Sequence, residues 1–298
     1  MLILVTGSNG QLGKSINDLF VQNNLKHEFV FVTRKQLDLS NFDNVRNFIE
    51  KNQFDIIINC AAYTSVDKAE VEKKQANLIN YFSVFNLAEI ARDNHIKLIH
   101  ISTDYVFDGK KNEPYLESDI TNPISIYGKS KLIGEKNIIS SNAKFLIIRL
   151  AWLYSPYDNI NFLNTIINLS KKKNKISVVS DQISIPTSSI ELSKNLWIII
   201  NSIKFNIDNF ISKTYHFSQN GKKISFYEYA KFIYTHMSNK KLKVPQIMPI
   251  LTKNYSNNII RPLFSVLNND KLIKDYKLNI EDWQDSLTNI IEYRLKDY

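Results

Sequence analysis

An apolar run, Leu2-Ile3-Leu4-Val5-Thr6, stops at Gly7-Ser8-Asn9-Gly10-Gln11-Leu12-Gly13 and gives way to a helical pattern with Leu12, Ile16, Leu19 and Phe20 on one face. Buried strand, glycine turn and helix in that order are the context a dinucleotide fingerprint requires. Gly7 permits the tight turn, Gly10 lets a pyrophosphate approach the backbone, and Gly13 lets helix and sheet pack closely. The phosphates would meet the first N–H groups of the helix. Three of the chain's seven glycines stand here in register, which a plain structural turn would not need.

The chain repeats the alternation that such a start implies. Phe29–Val32, Asp55–Cys60, Lys97–Ser102 and Phe145–Leu150 read as further buried strands. Ser40 or Asn41 caps a helix through Lys51, a long helical stretch covers about Asp67–Asp93, and another helix carries Tyr127 and Lys131. Strands alternating with helices predict an α/β fold, a Rossmann-type doubly wound parallel sheet with its ligand crevice at the strands' carboxyl ends. Gly7, Thr33, Ala61, Thr103 and Ala151 all follow strands in that position.

Residues 1–150 therefore read as the dinucleotide-binding domain, with later returns near 187–218. Residues 151–298 read mainly as a smaller substrate-binding lobe. There the pattern predicts helices near Asn161–Lys173 and Ser189–Asn201, and strands at Ile176–Val179 and Thr214–Phe217, the latter in the main sheet. Ser225 and Glu228 have capping-box spacing. Val244–Pro262 reads as irregular, and helices around Asn268–Tyr276 and Asp282–Leu295 follow.

Composition narrows the function. Of 298 residues 44% are apolar, ordinary for a large core, and no run of 18 apolar residues suggests a membrane span. The amino terminus lacks a basic segment and a long apolar stretch, so no signal peptide is expected. A single cysteine, Cys60, excludes an intrachain disulfide and points to reducing cytoplasm. The net charge of +9 is mostly scattered lysine, with no aromatic-and-arginine ribbon for stacking on bases, so nucleic acid is not an expected partner. A basic surface would steer an anionic sugar nucleotide.

The chemistry concentrates in Ser102-Thr103-Asp104-Tyr105 and Tyr127-Gly128-Lys129-Ser130-Lys131. Tyr127 and Lys131 are four apart and share a helix face. There the Lys131 ammonium can favour the Tyr127 phenolate, tuning a group that exchanges a proton with substrate. Thr103 can donate a hydrogen bond to the same oxygen. Such a trio suits carbonyl reduction or alcohol oxidation beside a hydride carrier. At the end of the second strand, where a carboxylate would bind the ribose of NAD, the chain reads Thr33-Arg34-Lys35. A cation there holds the 2′-phosphate of NADP, so NADPH is expected ahead of NADH. By residue chemistry alone, a loop carboxylate or helix cap accounts for Asp38 as well as a functional role does.

Assembled, these residues resemble the extended short-chain dehydrogenase/reductases and, more narrowly, the dTDP-4-dehydrorhamnose reductase family, over almost the whole chain. The resemblance rests on residues 7–13, Leu-Asp-Leu at 37–39, Asn-Cys-Ala-Ala-Tyr-Thr-Ser-Val-Asp-Lys-Ala-Glu at 59–70 and Ser-Thr-Asp-Tyr-Val-Phe-Asp-Gly at 102–109. It continues through Tyr-Gly-Lys-Ser-Lys at 127–131, Arg-Leu-Ala-Trp-Leu-Tyr at 149–154, Asp-Gln at 181–182, Pro-Thr at 186–187 and Arg-Pro at 261–262. It implies NAD(P)H-dependent reduction of the C4 ketone of dTDP-4-dehydro-L-rhamnose, for surface polysaccharide. By this analogy Tyr127 is the proton donor, Lys131 orients it and the nicotinamide ribose, and Thr103 polarises the carbonyl. Gly10, Gln11 and Leu12 would contact the pyrophosphate, Asp38 and Leu39 would flank the adenine, and Ala61, Ala62 and Thr64 would line the cofactor channel. Asp104 and Trp152 would face the sugar and Arg261 the diphosphate, although core packing or a surface ion pair would also explain Trp152 and Arg261. The resemblance also suggests a homodimer. Some relatives are described as joined through magnesium held by glutamates, one in the first helix. Here that helix begins Gln11-Leu12-Gly13-Lys14-Ser15, without an acid, so no metal is expected.

Two rival enzymes and one non-enzyme share the scaffold. A sugar-nucleotide dehydratase would place glutamate where Tyr105 follows the Thr-Asp pair. An epimerase would return its hydride to the same sugar. The regulatory subunit of methionine adenosyltransferase looks similar and acts by partner contact, but Thr103, Tyr127 and Lys131 are all intact here.

Overall fold

Odd and even positions of the strands are buried on opposite sides of one sheet, which is why the strands read as continuous apolar runs. The computed structural model describes residues 1–22, 27–157, 161–204, 212–255 and 260–295. Its first half runs β1 (Leu2–Thr6), α1 (Gln11–Gln22), β2 (Glu28–Val32), α2 (Phe42–Asn52), β3 (Ile56–Asn59), α3 (Val66–Ala69), α4 (Lys73–Asn77), α5 (Ser83–Asp93), β4 (Lys97–Thr103), α6 (Ile126–Ser140) and β5 (Lys144–Leu150). The second half runs β6 (Leu153–Tyr154), α7 (Phe162–Lys172), β7 (Lys175–Val179), β8 (Ile183–Ser184), β9 (Thr187–Ser188), α8 (Ser189–Lys204), β10 (Lys213–His216), β11 (Ile224–Ser225), α9 (Phe226–Asn239), β12 (Gln246–Ile250), α10 (Asp270–Tyr276) and α11 (Trp283–Arg294).

Six strands form the main sheet in the order β10-β5-β4-β3-β1-β2, every neighbouring pair parallel. This is the doubly wound α/β sheet expected, including the return of the strand near 214–217 as β10. On one face Ile3, Val5, Ile56, Ile58, Ile99 and Ile148 pack with Leu12 and Ile16 of α1 and Leu192, Leu196 and Ile199 of α8. On the other, Leu4, Ile57, Leu98 and Ile147 meet Val45 and Ile49 of α2, Leu87 of α5 and Ile138 of α6. Each fully buried side chain of this kind stabilises the fold by about 1.5–3 kcal/mol. A separate cluster joins Leu163, Ile166, Tyr229, Ile233, Trp283 and Leu287, the core of the smaller lobe.

Two expectations change. The stretch 67–93 is not one helix: α3 ends at Ala69, and α4 passes through a π turn, Leu78–Phe82, into α5. Glu70 lies in the break and accepts a hydrogen bond from the Ile126 N–H at 2.8 Å, so the interruption serves the start of α6. Within Val244–Pro262, residues 246–250 form β12, paired in parallel with β7. Pro249 disguised it, because proline is confined to strands with a free edge, and β7–β12 is a two-stranded ribbon. Residues 256–259 of that segment lie outside the described residues. The capping box is present, with the Ser225 side chain accepting from the Glu228 N–H and Glu228 accepting in return.

One buried ion pair ties α6 to the sheet. Arg149 of β5 donates to both Glu135 oxygens, through Nε at 3.0 and 3.2 Å and through Nη2 at 2.6 Å, and Ser102 donates to the same carboxylate. Both side chains are almost wholly inaccessible, at 7% and 1% exposed. Removing one partner strands the other charge. Arg149→Met is expected to cost about 3–5 kcal/mol in urea unfolding, and the double variant Glu135→Leu/Arg149→Met to recover much of it.

Candidate active site

The carboxyl ends of β2, β1, β3, β4 and β5 bring Thr33, Gly7, Ala61, Thr103 and Ala151 into one row. Gly7 has φ +66°, and a β-carbon there would lie 2.8 Å from the Ala61 nitrogen. At Gly13 it would lie 2.5 Å from the Gly7 carbonyl oxygen, so α1 can sit down on the turn only without a side chain. At Gly10 it would meet only the Gly7 oxygen, at 3.2 Å, and otherwise open space. That opening, at the amino end of a twelve-residue helix, fits a diphosphate. Gln11 Oε1 accepts from Asn161 Nδ2 at 2.8 Å, whereas the Leu12 side chain is buried in the sheet core, leaving its backbone alone for a ligand.

Beside the turn, a cavity of about 600 Å³ is lined by Asn9, Thr33, Arg34, Lys35 and Asp38. Asp38 accepts from the Ser40 N–H at 3.0 Å, the Ser40 hydroxyl at 2.7 Å and Arg34 Nε at 3.1 Å. Burial opposes its ionisation, but Ser40 and Arg34 together hold the carboxyl below its ordinary range. Asp38 is thus a turn-capping carboxylate on the cavity wall as well. Leu39 turns into the core beside Val45. Ala61 and Ala62 are half-buried and Thr64 exposed.

Thr103 closes β4, and Tyr127 opens α6, whose cap is the Ser125 side chain accepting from the Gly128 N–H at 3.1 Å. Thr103 donates to Asp104 Oδ1 at 3.0 Å and accepts from the Tyr105 N–H at 3.2 Å. Burial pushes the Tyr127 phenol well above its ordinary range, while a hydrogen bond with Thr103 draws it back and Asp104 adds to the rise. Asp104 is buried and its carboxyl is pushed up to about 6 by desolvation, against the Ser265 and Thr103 hydroxyls. Its Oδ2 has no close partner among the described residues.

Lys131 lies on the Tyr127 face of α6, but the close polar partners of its amino group are elsewhere. Nζ donates to the Ile101 carbonyl at 2.7 Å and lies 3.1 Å from His100 Nε2. Burial lowers Lys131 to about 8, with Glu135 and the half-buried Cys60 working the other way. The structure therefore brings Thr103 and Tyr127 together, while the Lys131 amino group bonds to Ile101 and faces His100. The expected direct push on the phenol is missing because nearby β4 offers a carbonyl that the buried amine cannot leave unmet.

Trp152 is half-buried, stacked on Phe226 with ring centroids 3.7 Å apart, and belongs to the lobe's aromatic cluster. Arg261 forms an ion pair with Asp67 and donates to the Tyr105 hydroxyl at 3.4 Å. The Tyr105 ring in turn stands edge-on to Tyr127 at 5.5 Å. Residues not singled out from sequence also hold the site. Asn80, in the π turn, accepts from the Tyr63 N–H at 2.9 Å and donates to the Tyr63 carbonyl and the Ser130 hydroxyl, both at 3.0 Å. Asn59 and His100 stand behind Lys131. Asn59 stands in the sequence as a strand end and as the first residue of the 59–70 motif, without a role of its own; an interrupted apolar strand is the sole signal for His100.

The family model described as the RmlD substrate binding domain matches residues 1–295. A dTDP-4-dehydrorhamnose reductase from Aggregatibacter actinomycetemcomitans is 36% identical, with 98% of each chain aligned. The enzyme of that name from Escherichia coli (strain K12) is 34% identical over 95% of each. Among solved structures, a dTDP-4-dehydrorhamnose reductase from Clostridium acetobutylicum superposes with a TM-score of 0.89 at 34% identity, covering 100% of both chains. The Bacillus anthracis reductase in complex with NADP gives a TM-score of 0.86 at 34% identity, covering 100% of this chain and 99% of the other. Aligned with them from end to end, and folded as they are, this chain belongs to the dTDP-4-dehydrorhamnose reductase family.

Proposed function

We propose that this chain reduces the C4 ketone of dTDP-4-dehydro-L-rhamnose to the alcohol of dTDP-L-rhamnose, using NADPH. The observation that carries the reading is the meeting of Thr103 and Tyr127 at the end of β4, in the same row of strand ends as the glycine turn. The relatives' names and the NADP complex of one of them support it. When bound, the nicotinamide cofactor supplies the hydride. The main chain around Gly7, Gly10 and Gly13 and the backbone of Gln11 and Leu12 would hold its diphosphate. Ala61, Ala62 and Thr64 would line its course, and Arg34 and Lys35 would meet a 2′-phosphate in the cavity they share with Asp38 and the neighbouring Leu39 backbone.

Tyr127 is the proton donor in this reading. Burial keeps the phenol protonated at neutral pH, so it reaches the reaction loaded. As the ketone oxygen gains negative charge it takes the Tyr127 proton, while the Thr103 hydroxyl, turned from Asp104, donates its one proton to the same oxygen. Lys131, swung from Ile101 toward the cleft, would stabilise the phenolate left behind. Asp104 Oδ2, buried without a close partner, would accept a sugar hydroxyl, and Trp152 would wall the sugar site. Arg261 would exchange part of its pairing with Asp67 for the substrate diphosphate.

Supplying dTDP-4-dehydro-L-rhamnose and following the reduced-nicotinamide absorbance tests the whole reading: net consumption is expected, and none at any enzyme concentration would overturn it. Tyr127→Phe should lower turnover by about two to four orders of magnitude while cofactor binding stays nearly intact. Arg34→Ala should raise the KM for NADPH about tenfold and leave that for NADH nearly unchanged. A wild-type enzyme that prefers NADH and ignores Arg34→Ala would refute the choice of cofactor.

A further inference from the structure

Behind Lys131 a line of hydrogen bonds has only one self-consistent arrangement of protons. The Ala61 N–H donates to Asn59 Oδ1 at 3.2 Å, and the Thr6 hydroxyl donates to the same oxygen at 2.7 Å. A backbone N–H can only donate, so the oxygen of the Asn59 amide must face it and the NH₂ must face the other way. That NH₂ meets His100 Nδ1 at 3.0 Å, in the interior. Nδ1 is therefore the accepting nitrogen. Burial alone holds His100 below its ordinary range, so the ring is neutral and its one proton sits on Nε2.

Nε2–H points at Lys131 Nζ, 3.1 Å away. An ammonium has three donors and no acceptor, so facing Nε2–H it makes no hydrogen bond; a free amine has a lone pair and makes a good one. The remaining Lys131 contact, donation to the Ile101 carbonyl at 2.7 Å, serves either form. We infer that His100, keyed into one tautomer by Asn59, is a positioning residue that docks Lys131 as a free amine and turns its ammonium out toward Tyr127 and the cleft. The inference rests on the reductase reading for its use, since it puts a cation beside the phenol when one is needed. It is tested without turnover.

Other groups face Lys131 from each side and do not reproduce the effect. From α6, Glu135 favours the ammonium, but its two oxygens are engaged by Arg149 of β5 and by Ser102. From the end of β3, the Cys60 thiol is pushed up to about 12 by burial and stays neutral. Tyr127 likewise remains protonated. His100 is the neighbour whose hydrogen-bonding sense distinguishes amine from ammonium.

The test uses the cofactor-free protein with ¹⁵N-labelled histidine and ¹³C-labelled lysine, His100 and Lys131 being assigned by signal loss in His100→Gln and Lys131→Met. Wild-type His100 should remain neutral from pH 6 to pH 9 with the proton on Nε2. Lys131 should titrate near 8. In His100→Gln the side-chain amide can present its oxygen to the ammonium, and the Lys131 midpoint should rise by about one unit or more. A His100 proton found on Nδ1 in the wild type, or a Lys131 midpoint unmoved in a folded His100→Gln, would overturn the inference. Should His100→Gln fail to fold, Asn59→Asp replaces the donor at Nδ1 by an acceptor and should move the ring proton to Nδ1; a proton that stays on Nε2 there would equally overturn it. Absence of NADPH consumption by the wild type would remove the reductase reading and leave these titrations standing.

Discussion

Helix α6 is laid against the sheet by polar groups that have partners, and the geometry of the site follows from that. Its buried positions include Tyr127, Ser130, Lys131 and Glu135, while Ile133 and Ile139 remain exposed. An apolar stripe would tolerate sliding or rotation, since dispersion contacts are not directional. Here any shift would unmake Glu135–Arg149, Ser130–Asn80 and Lys131–Ile101 together, each costly to leave open in the interior. Two glycines let the helix come close enough to make them. A β-carbon at Gly128 would lie 2.2 Å from the Tyr105 carbonyl oxygen, and one at Gly134 equally close to that of Asn80. The position of the Tyr127 phenol is in this sense fixed from the far end of its own helix.

Polar burial of this kind also explains which parts of the molecule could be read from the sequence. The sheet was legible because strands buried on both faces leave continuous apolar runs, and the turn after β1 because Gly7 and Gly13 have backbone contacts that no side chain would survive. Thr103, Tyr127 and Lys131 were legible through local spacing. Contacts between residues far apart in the chain leave no such mark. Arg261 meets Asp67 across 194 positions, and the His216 backbone N–H donates to the Glu117 carboxylate across 99, with nothing in either neighbourhood to announce it. Local spacing does not reveal the partners of the Lys131 amino group for a related reason: helical spacing puts two side chains on one face, but the Ile101 carbonyl and the His100 ring decide where a long one ends.

The two halves of the chain are held in register by the helix that carries the glycine turn. Along α1, Gln11 accepts from Asn161, Ser15 donates to Ser189 and Asp18 accepts from the Tyr157 hydroxyl, so three successive turns each hold a residue from beyond β5. The crossing between the halves begins at Trp152, whose backbone has φ +47°, a conformation that a bulky residue adopts only under constraint from its surroundings. The constraint is visible in the stack of its ring on Phe226, with Phe162 packed against Phe226 at 4.7 Å. A left-handed residue at that point turns the chain sharply out of β5 and into the lobe, and the aromatic stack makes the turn permanent. Because α1 bonds to the segments on either side of α7, and α7 and α9 share one core with Trp152, movement of the aromatic wall relative to the glycine turn would have to break hydrogen bonds and apolar packing at once. The glycine turn and the aromatic wall are consequently parts of one rigid frame.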